Sequence, residues 1–243
     1  MTELSQIRTP EFLPRKKRHV MGVDLGQSKD PSAVCVIEFC EGVDDHGSPY
    51  ERHTNQTTAL GLQKKAERWR CVHLESLPLN KKYGDVVRYV AGLLATPQLK
   101  ADVDENRSAC ELVIDAGGVG RGVAEMFKDA GLDPICVTLT GGMETNAKGG
   151  NKFNVAKHDA VTLLDARIHH DRFPLIFSKQ LTELEAFLQE IADFKRDVTG
   201  AGRAVYEARE GKHDDRIIAC ALAVWVLSRP RNQPTVIGVY GSY

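Results

Sequence analysis

Three acidic positions in the 243-residue chain stand where carboxylates are chemically useful. Asp24 directly follows the apolar VMGV, Asp115 directly follows LVI, and Asp214 with Asp215 open the last apolar stretch. In an open α/β sheet, groups just beyond the carboxyl ends of neighbouring strands converge on one crevice, and a helix laid across it adds a further ligand. Carboxylates gathered there repel one another unless a cation lies between them. Hard oxygen donors suit Mg²⁺ or Mn²⁺, with water and substrate phosphate completing the shell. Two such ions about 4 Å apart activate a water and stabilise the leaving oxygen of a phosphodiester. Each acid also has an ordinary structural use. Asp24 before Leu-Gly can cap a turn, Asp115 before Ala-Gly-Gly can cap the next helix, and Asp214 and Asp215 are favourable first-turn acids. Singly these uses are the commoner ones, but three acids at the ends of apolar elements favour a shared site.

The elements that must position them follow from periodicity and turn residues. The apolar string Val20 to Leu25 and the β-rich Val34 to Phe39 flank GQSKDPS, which predicts a hairpin with Asp24 near the end of its first strand. Glu41 to Leu62 is polar and reads as a long excursion. Alternation predicts a third strand over Arg68 to Leu77, and Tyr83, Val86, Val87, Val90, Leu93 and Leu94 mark one face of a helix. CELVID, a helix over VGRGVAEMFKDAG and the strand ICVTL make a βαβ step. Thr140 to Asn154 is rich in Gly, Asn and Lys and predicts a mobile loop. Helices are expected over Val155 to His170 and Leu181 to Phe194, then a hairpin in FKRDVTGAGRAVYEARE. A closing helix from about His213 to Leu227 carries Ala219, Cys220, Ala221 and Ala223, small enough for close packing on a sheet. A hairpin feeding parallel strands, with helical cover, is an α/β domain with a mixed sheet. The expected organisation is a flexible basic arm or linker over 1–19, one domain over 20–229 and a tail over 230–243.

Composition narrows the class. Lys and Arg number 32 against 33 Asp and Glu, so the net charge of −1 does not by itself announce a nucleic-acid partner, and any such contact must come from local basic patches. No apolar run approaches the roughly 20 residues that cross a bilayer, so no membrane partner is expected. The first residues carry basic groups without the apolar segment of a secretory signal. Six cysteines form no CxxC and no zinc-spaced cluster, which points to reduced, buried thiols in a cytoplasmic setting.

The segments MGVDLGQSKDPSAVCVIE, LVIDAGGVGRGVAEMFKDAGL, NVAKHDAVTLLDARIHHDRFPL and GKHDDRIIACALAVW, taken in order, resemble the nuclease domain of bacteriophage terminase large subunits. That family lies in the RNase H-like superfamily beside RuvC-type junction resolvases. The resemblance runs from about residue 20 to 228, and HDDRIIACALA is its most specific part. It implies an RNase H-like mixed β-sheet and an endonuclease that cuts concatemeric viral DNA during genome packaging by a two-metal-ion mechanism. It also implies two Mg²⁺ or Mn²⁺ ions, double-stranded DNA as substrate, and partnership with a packaging ATPase domain, a small terminase subunit and a portal in the host cell cytoplasm. Asp24 and Asp115 match the first two metal-binding acids and Asp215 the third, with Asp214 supporting it. The chain has no GxxxxGK followed by Ser or Thr, so it carries no ATPase phosphate loop of that type.

Lys148, Lys152 and Lys157, close to Asn146, Asn151 and Asn154, form a candidate contact to DNA phosphates, with a merely solvated loop as the alternative. His213 is a possible auxiliary group beside the acids, or a helix-start surface residue. Trp69 and Trp225 read as core. Two other functions share parts of the pattern. DLGQS and DAGG also look like the phosphate loops of actin-like ATPases and sugar kinases, but those proteins duplicate the fold and lack a closing HDD helix. A RuvC-type resolvase is the second alternative.

Overall fold

The computed structural model describes residues 11–26, 30–45, 63–118, 120–142, 144–198, 204–208 and 214–229. In chain order these form β1 (Glu11–Asp24), β2 (Ala33–Asp45), β3 (Gln63–Ser76), α1 (Tyr83–Leu94), β4 (Glu111–Asp115), α2 (Gly120–Asp129), β5 (Ile135–Thr140), β6 (Asn146–Gly149) and β7 (Lys152–Ala156). They continue with α3 (Lys157–Ile168), β8 (Leu175–Phe177), α4 (Leu184–Asp193), β9 (Phe194–Val198), β10 (Ala204–Ala208) and α5 (Asp215–Leu227). Among the described residues one sheet has eight strands in the order β6-β7-β5-β4-β1-β2-β3-β8, and β9 and β10 pair separately as the predicted hairpin. β1, β2 and β3 are antiparallel neighbours, whereas β1-β4, β4-β5 and β5-β7 are parallel. This is the mixed sheet expected from the sequence, an antiparallel hairpin joined to parallel strands.

Alternation sorts the central strands onto two cores. Val20, Val113 and Val137 face a core closed by α3, α4 and α5, whereas Met21, Val23, Leu112 and Ile114 face one closed by α1 and α2. Every residue of α5 except Arg216 is buried, so this helix is apolar on nearly all sides and can sit only inside the protein. It lies very close to β1. A Cβ built on Gly22 would stand 2.0 Å from the Ala219 carbonyl oxygen, which leaves glycine as the residue that fits there. Trp69 and Trp225 are both core, as expected.

Three sequence expectations are corrected. The flexible basic arm over 1–19 does not hold for its second half, because β1 begins at Glu11 and pairs with β2 through Asp45. The basic residues there have partners: Lys17 Nζ is 3.1 Å from Glu105, Arg18 bonds Glu111 at 2.9 Å, and buried His19 lies 3.3 Å from Glu38. The end of the basic run is thus part of a long strand, with carboxylates beside Lys17, Arg18 and His19. For the same reason the long excursion starts only after Asp45 and ends before Gln63, with 46–62 outside the described residues. The expected loop over Thr140 to Asn154 instead contains β6 and β7. β7 extends the parallel sheet beside β5, and Gly149 and Gly150, at φ +95° and +56°, turn the chain between the two strands. The tail over 230–243 lies outside the described residues.

Candidate active site

Strand parity aims the first two acids. Asp24 continues the Val20-Gly22 face and Asp115 continues the Val113 face, so both carboxylates leave the sheet on the side of α5. They stand at the carboxyl ends of strands that are adjacent and parallel. α5 starts at the same end, with Asp214 just before its first turn and buried Asp215 as its first residue.

The electrostatics show that these groups share one field. Burial pushes the Asp24 carboxyl well above its ordinary value, and the charges of Asp115, Asp215 and Asp214 push it further, with Lys157 alone opposing them. Burial also raises Asp115, against the N–H groups of Gly117 and Leu139 and the charge of Lys157. The Gly117 N–H donates to Asp115 Oδ1 at 2.7 Å, so the turn-capping use of Asp115 is real and coexists with its place in the cluster. Asp214, by contrast, makes no side-chain cap to α5. Its Oδ2 accepts from Lys157 Nζ at 2.7 Å.

The four carboxylates offer oxygen donors suited to a hard divalent cation, with the Lys157 ammonium beside them as a counter-charge. As the side chains are placed, no three His, Cys, Asp or Glu groups among the described residues stand close enough to hold a metal ion. Bringing Asp24, Asp115 and Asp215 onto one ion therefore takes side-chain rotation. Burial and the neighbouring carboxylates both hold Asp24 toward its protonated form, and a divalent ion among the acids would oppose both effects.

Two relationships escape the sequence reading. Lys157, grouped there with the loop lysines, is the first residue of α3 and belongs to the acid cluster, whereas Lys148 and Lys152 are exposed on β6 and β7. Arg216, next to Asp215, bonds Glu183 Oε2 through Nε at 3.0 Å and also bonds Glu190, tying the first turn of α5 to α4 and the residue that caps it. The signal was present, since Glu183 and Glu190 are seven residues apart and so share a helix face. His213 lies outside the described residues.

No protein-family model matches the sequence, and no curated protein matches it. Among solved structures, the fold is similar to the large terminase nuclease from thermophilic phage G20c with bound magnesium, at 20% identity over 88% of this chain and 84% of that one, with a TM-score of 0.48. It is also similar to the large terminase nuclease domain of Thermus phage P74-26, at 17% identity over 85% and 78% of the two chains and a TM-score of 0.49. A third similar structure is the large terminase nuclease domain of bacteriophage SPP1 with bound Mn, at 13% identity over 86% of each chain and a TM-score of 0.45.

Proposed function

We propose that this chain is a divalent-metal-dependent DNA endonuclease of the terminase type, cutting concatemeric viral DNA during genome packaging. The observation that carries the reading is the convergence of Asp24, Asp115, Asp214 and Asp215 at one end of the sheet, where burial first and then the charges of the other three acids raise the Asp24 proton affinity. Asp24, Asp115 and Asp215 are the residues to hold two Mg²⁺ or Mn²⁺ ions, which when bound would activate a water and stabilise the leaving oxygen of a phosphodiester. Asp24 and Asp115 are fixed by the ends of two paired strands, so their separation is set by the sheet. Asp215 is set by α5, whose first turn Arg216 holds in place. Lys157 supplies a fixed positive charge at Asp214 and offsets part of the repulsion among the acids.

The sequence resemblance supplies the finer parts of the reading. In it the substrate is double-stranded DNA, the partners are a packaging ATPase domain, a small terminase subunit and a portal, and the setting is the host cell cytoplasm. No helix among the described residues is long and apolar enough to cross a membrane.

Incubation of supercoiled plasmid with the protein and Mn²⁺ or Mg²⁺ should yield nicked and linear DNA, with EDTA and the Asp24→Asn variant as inactive controls. Plasmid that stays intact across a range of metal and protein concentrations would overturn the nuclease reading.

A further inference from the structure

On the face of the sheet opposite the carboxylates, α2 and the β5-β7 pair enclose a groove of about 320 Å³. Its walls follow from two periodicities. Cys136 and Thr138 alternate along β5 and lie directly across from Lys152 and Asn154 on β7, so the four side chains share one face. Arg121, Ala124, Glu125 and Lys128 recur at helical spacing along α2 and face them. Lys148 on β6 completes the rim. The lining thus holds four cations, Arg121, Lys128, Lys148 and Lys152, against the one carboxylate of Glu125.

This excess stands out in a chain whose net charge is −1. Lys17, Arg18, Arg70, Arg107, Lys157 and Arg216 all pair with carboxylates, whereas the four groove cations form no ion pair with a described residue. Two of these charges act on one group within the groove. Burial raises the Cys136 thiol, and the fields of Lys128 and Lys152 both pull it back down.

The groove also meets the acid site. Ala116 in its wall is the residue after Asp115, and its N–H bonds Val137 at 2.6 Å, which locks the wall to the strand that carries the acid. A polymer lying across the carboxyl ends of β4 and β5 at the acids therefore passes onto the groove mouth at Ala116, Arg121 and Asn154. It can continue along α2 toward Lys128 and Lys152. Unpaired guanidinium and ammonium groups in a row, with neutral Thr and Asn donors between them, suit a repeating anion read without sequence.

We infer that this groove binds the sugar-phosphate backbone of the DNA flanking the cut, with Arg121, Lys128, Lys148 and Lys152 as its phosphate contacts. The inference rests on the nuclease reading and assigns its substrate path. Lys157 is excluded from the path because it is bound to Asp214.

Binding of a fluorescein-labelled linear duplex should be followed by anisotropy with Ca²⁺ in place of Mg²⁺, over a range of salt concentrations. Each lost phosphate contact lowers the slope of log affinity against log salt by about 0.9, so Arg121→Ala with Lys128→Ala should lower it by about 1.8, and the quadruple variant by about 3–4. Lys100→Ala with Lys179→Ala, exposed elsewhere, should change little, and unaltered thermal melts should show that all variants fold. Slopes unchanged in the groove variants would overturn the assignment, as would an equal loss in the control pair. Added inorganic phosphate should displace no more duplex than chloride at equal ionic strength, and preferential displacement would reassign the groove to a free phosphate. Failure of the nuclease reading looks different: wild-type protein would leave plasmid intact with Mn²⁺ whatever the groove variants do to binding.

Discussion

Lys157 Nζ lies 2.7 Å from Asp214 Oδ2, and this ion pair joins the first residue of α3 to the residue just before α5. The same lysine charge is felt at Asp24 and at Asp115. One cation therefore serves as counter-charge to a cluster of carboxylates in the metal-free protein.

Removing that cation should cost stability only while the acids are charged. Lys157→Met should melt lower than wild type in EDTA at pH 8, by about 1 kcal/mol or roughly 2–4 °C for a chain of this size. The gap should narrow near pH 4, where the carboxylates take up protons, and should also narrow with saturating Mn²⁺ at pH 8. A deficit of the same size in all three conditions would mean that the lysine contributes packing rather than charge.

Asp24 gives the clearest dependence on pH. Its folded proton affinity is raised, so its contribution to stability is fully present below the ordinary carboxylate range and is lost as pH rises through the raised value. Asp24→Asn removes the ionisation and with it the loss. In EDTA the variant should therefore be more stable than wild type at pH 8, with the advantage shrinking toward pH 4, and it should not cleave plasmid. Denaturant unfolding at the two pH values checks the sign. A variant less stable than wild type at pH 8 would show that Asp24 holds a turn and bears no electrostatic strain.

Much of this was legible in the sequence because it depends on local signals. The acids ending apolar runs, the α1 stripe and the small residues of α5 follow from periodicity, and Asp115, Asp214 and Asp215 lie close enough for their charges to act on Asp24. The departures all depend on pairing over long sequence distance. Lys17 and Arg18 are compensated by Glu105 and Glu111, about ninety residues away, and nothing within their own segment reports those partners. β7 is a strand because β5 offers it an edge, although its own KFNVA is short and mixed. Lys157 stands near the loop lysines in sequence, yet the start of α3 turns it toward Asp214, fifty-seven residues later.

The two neighbouring acids of α5 should separate in function. Asp215 is buried and raises Asp24 more than Asp214 does, whereas Asp214 is committed to Lys157. Asp214→Asn should therefore lower cleavage by about 10–100-fold, as expected of a group that orients a site from outside it, and Asp215→Asn should lower it further. Plasmid cleavage rates at saturating Mn²⁺, with Mn²⁺ titrated against each variant, decide the order. A larger loss in Asp214→Asn would reverse the assignment of the third ligand.

Gly22 tests whether the site depends on how closely α5 approaches β1. A methyl at this position would lie 2.0 Å from the Ala219 carbonyl oxygen, 3.0 Å from its carbon and 3.2 Å from the Ala223 nitrogen. These are backbone atoms of a helix buried on nearly every side, so no side-chain rotation relieves the overlap and the helix must shift. Gly22→Ala should cost at least about 1–3 kcal/mol in denaturant unfolding. Adding Ala219→Gly should not restore it, because the clash is with the carbonyl group that glycine retains. The shift should also reach the acids, since Asp24 is two residues beyond Gly22 on the same face and Asp215 is one turn before Ala219. Cleavage per folded molecule should therefore fall as well, measured at a temperature where the variant remains native. Full activity per folded molecule, with stability lost, would mean that α5 retreats without moving its first turn, which Arg216 would then be holding through Glu183 and Glu190.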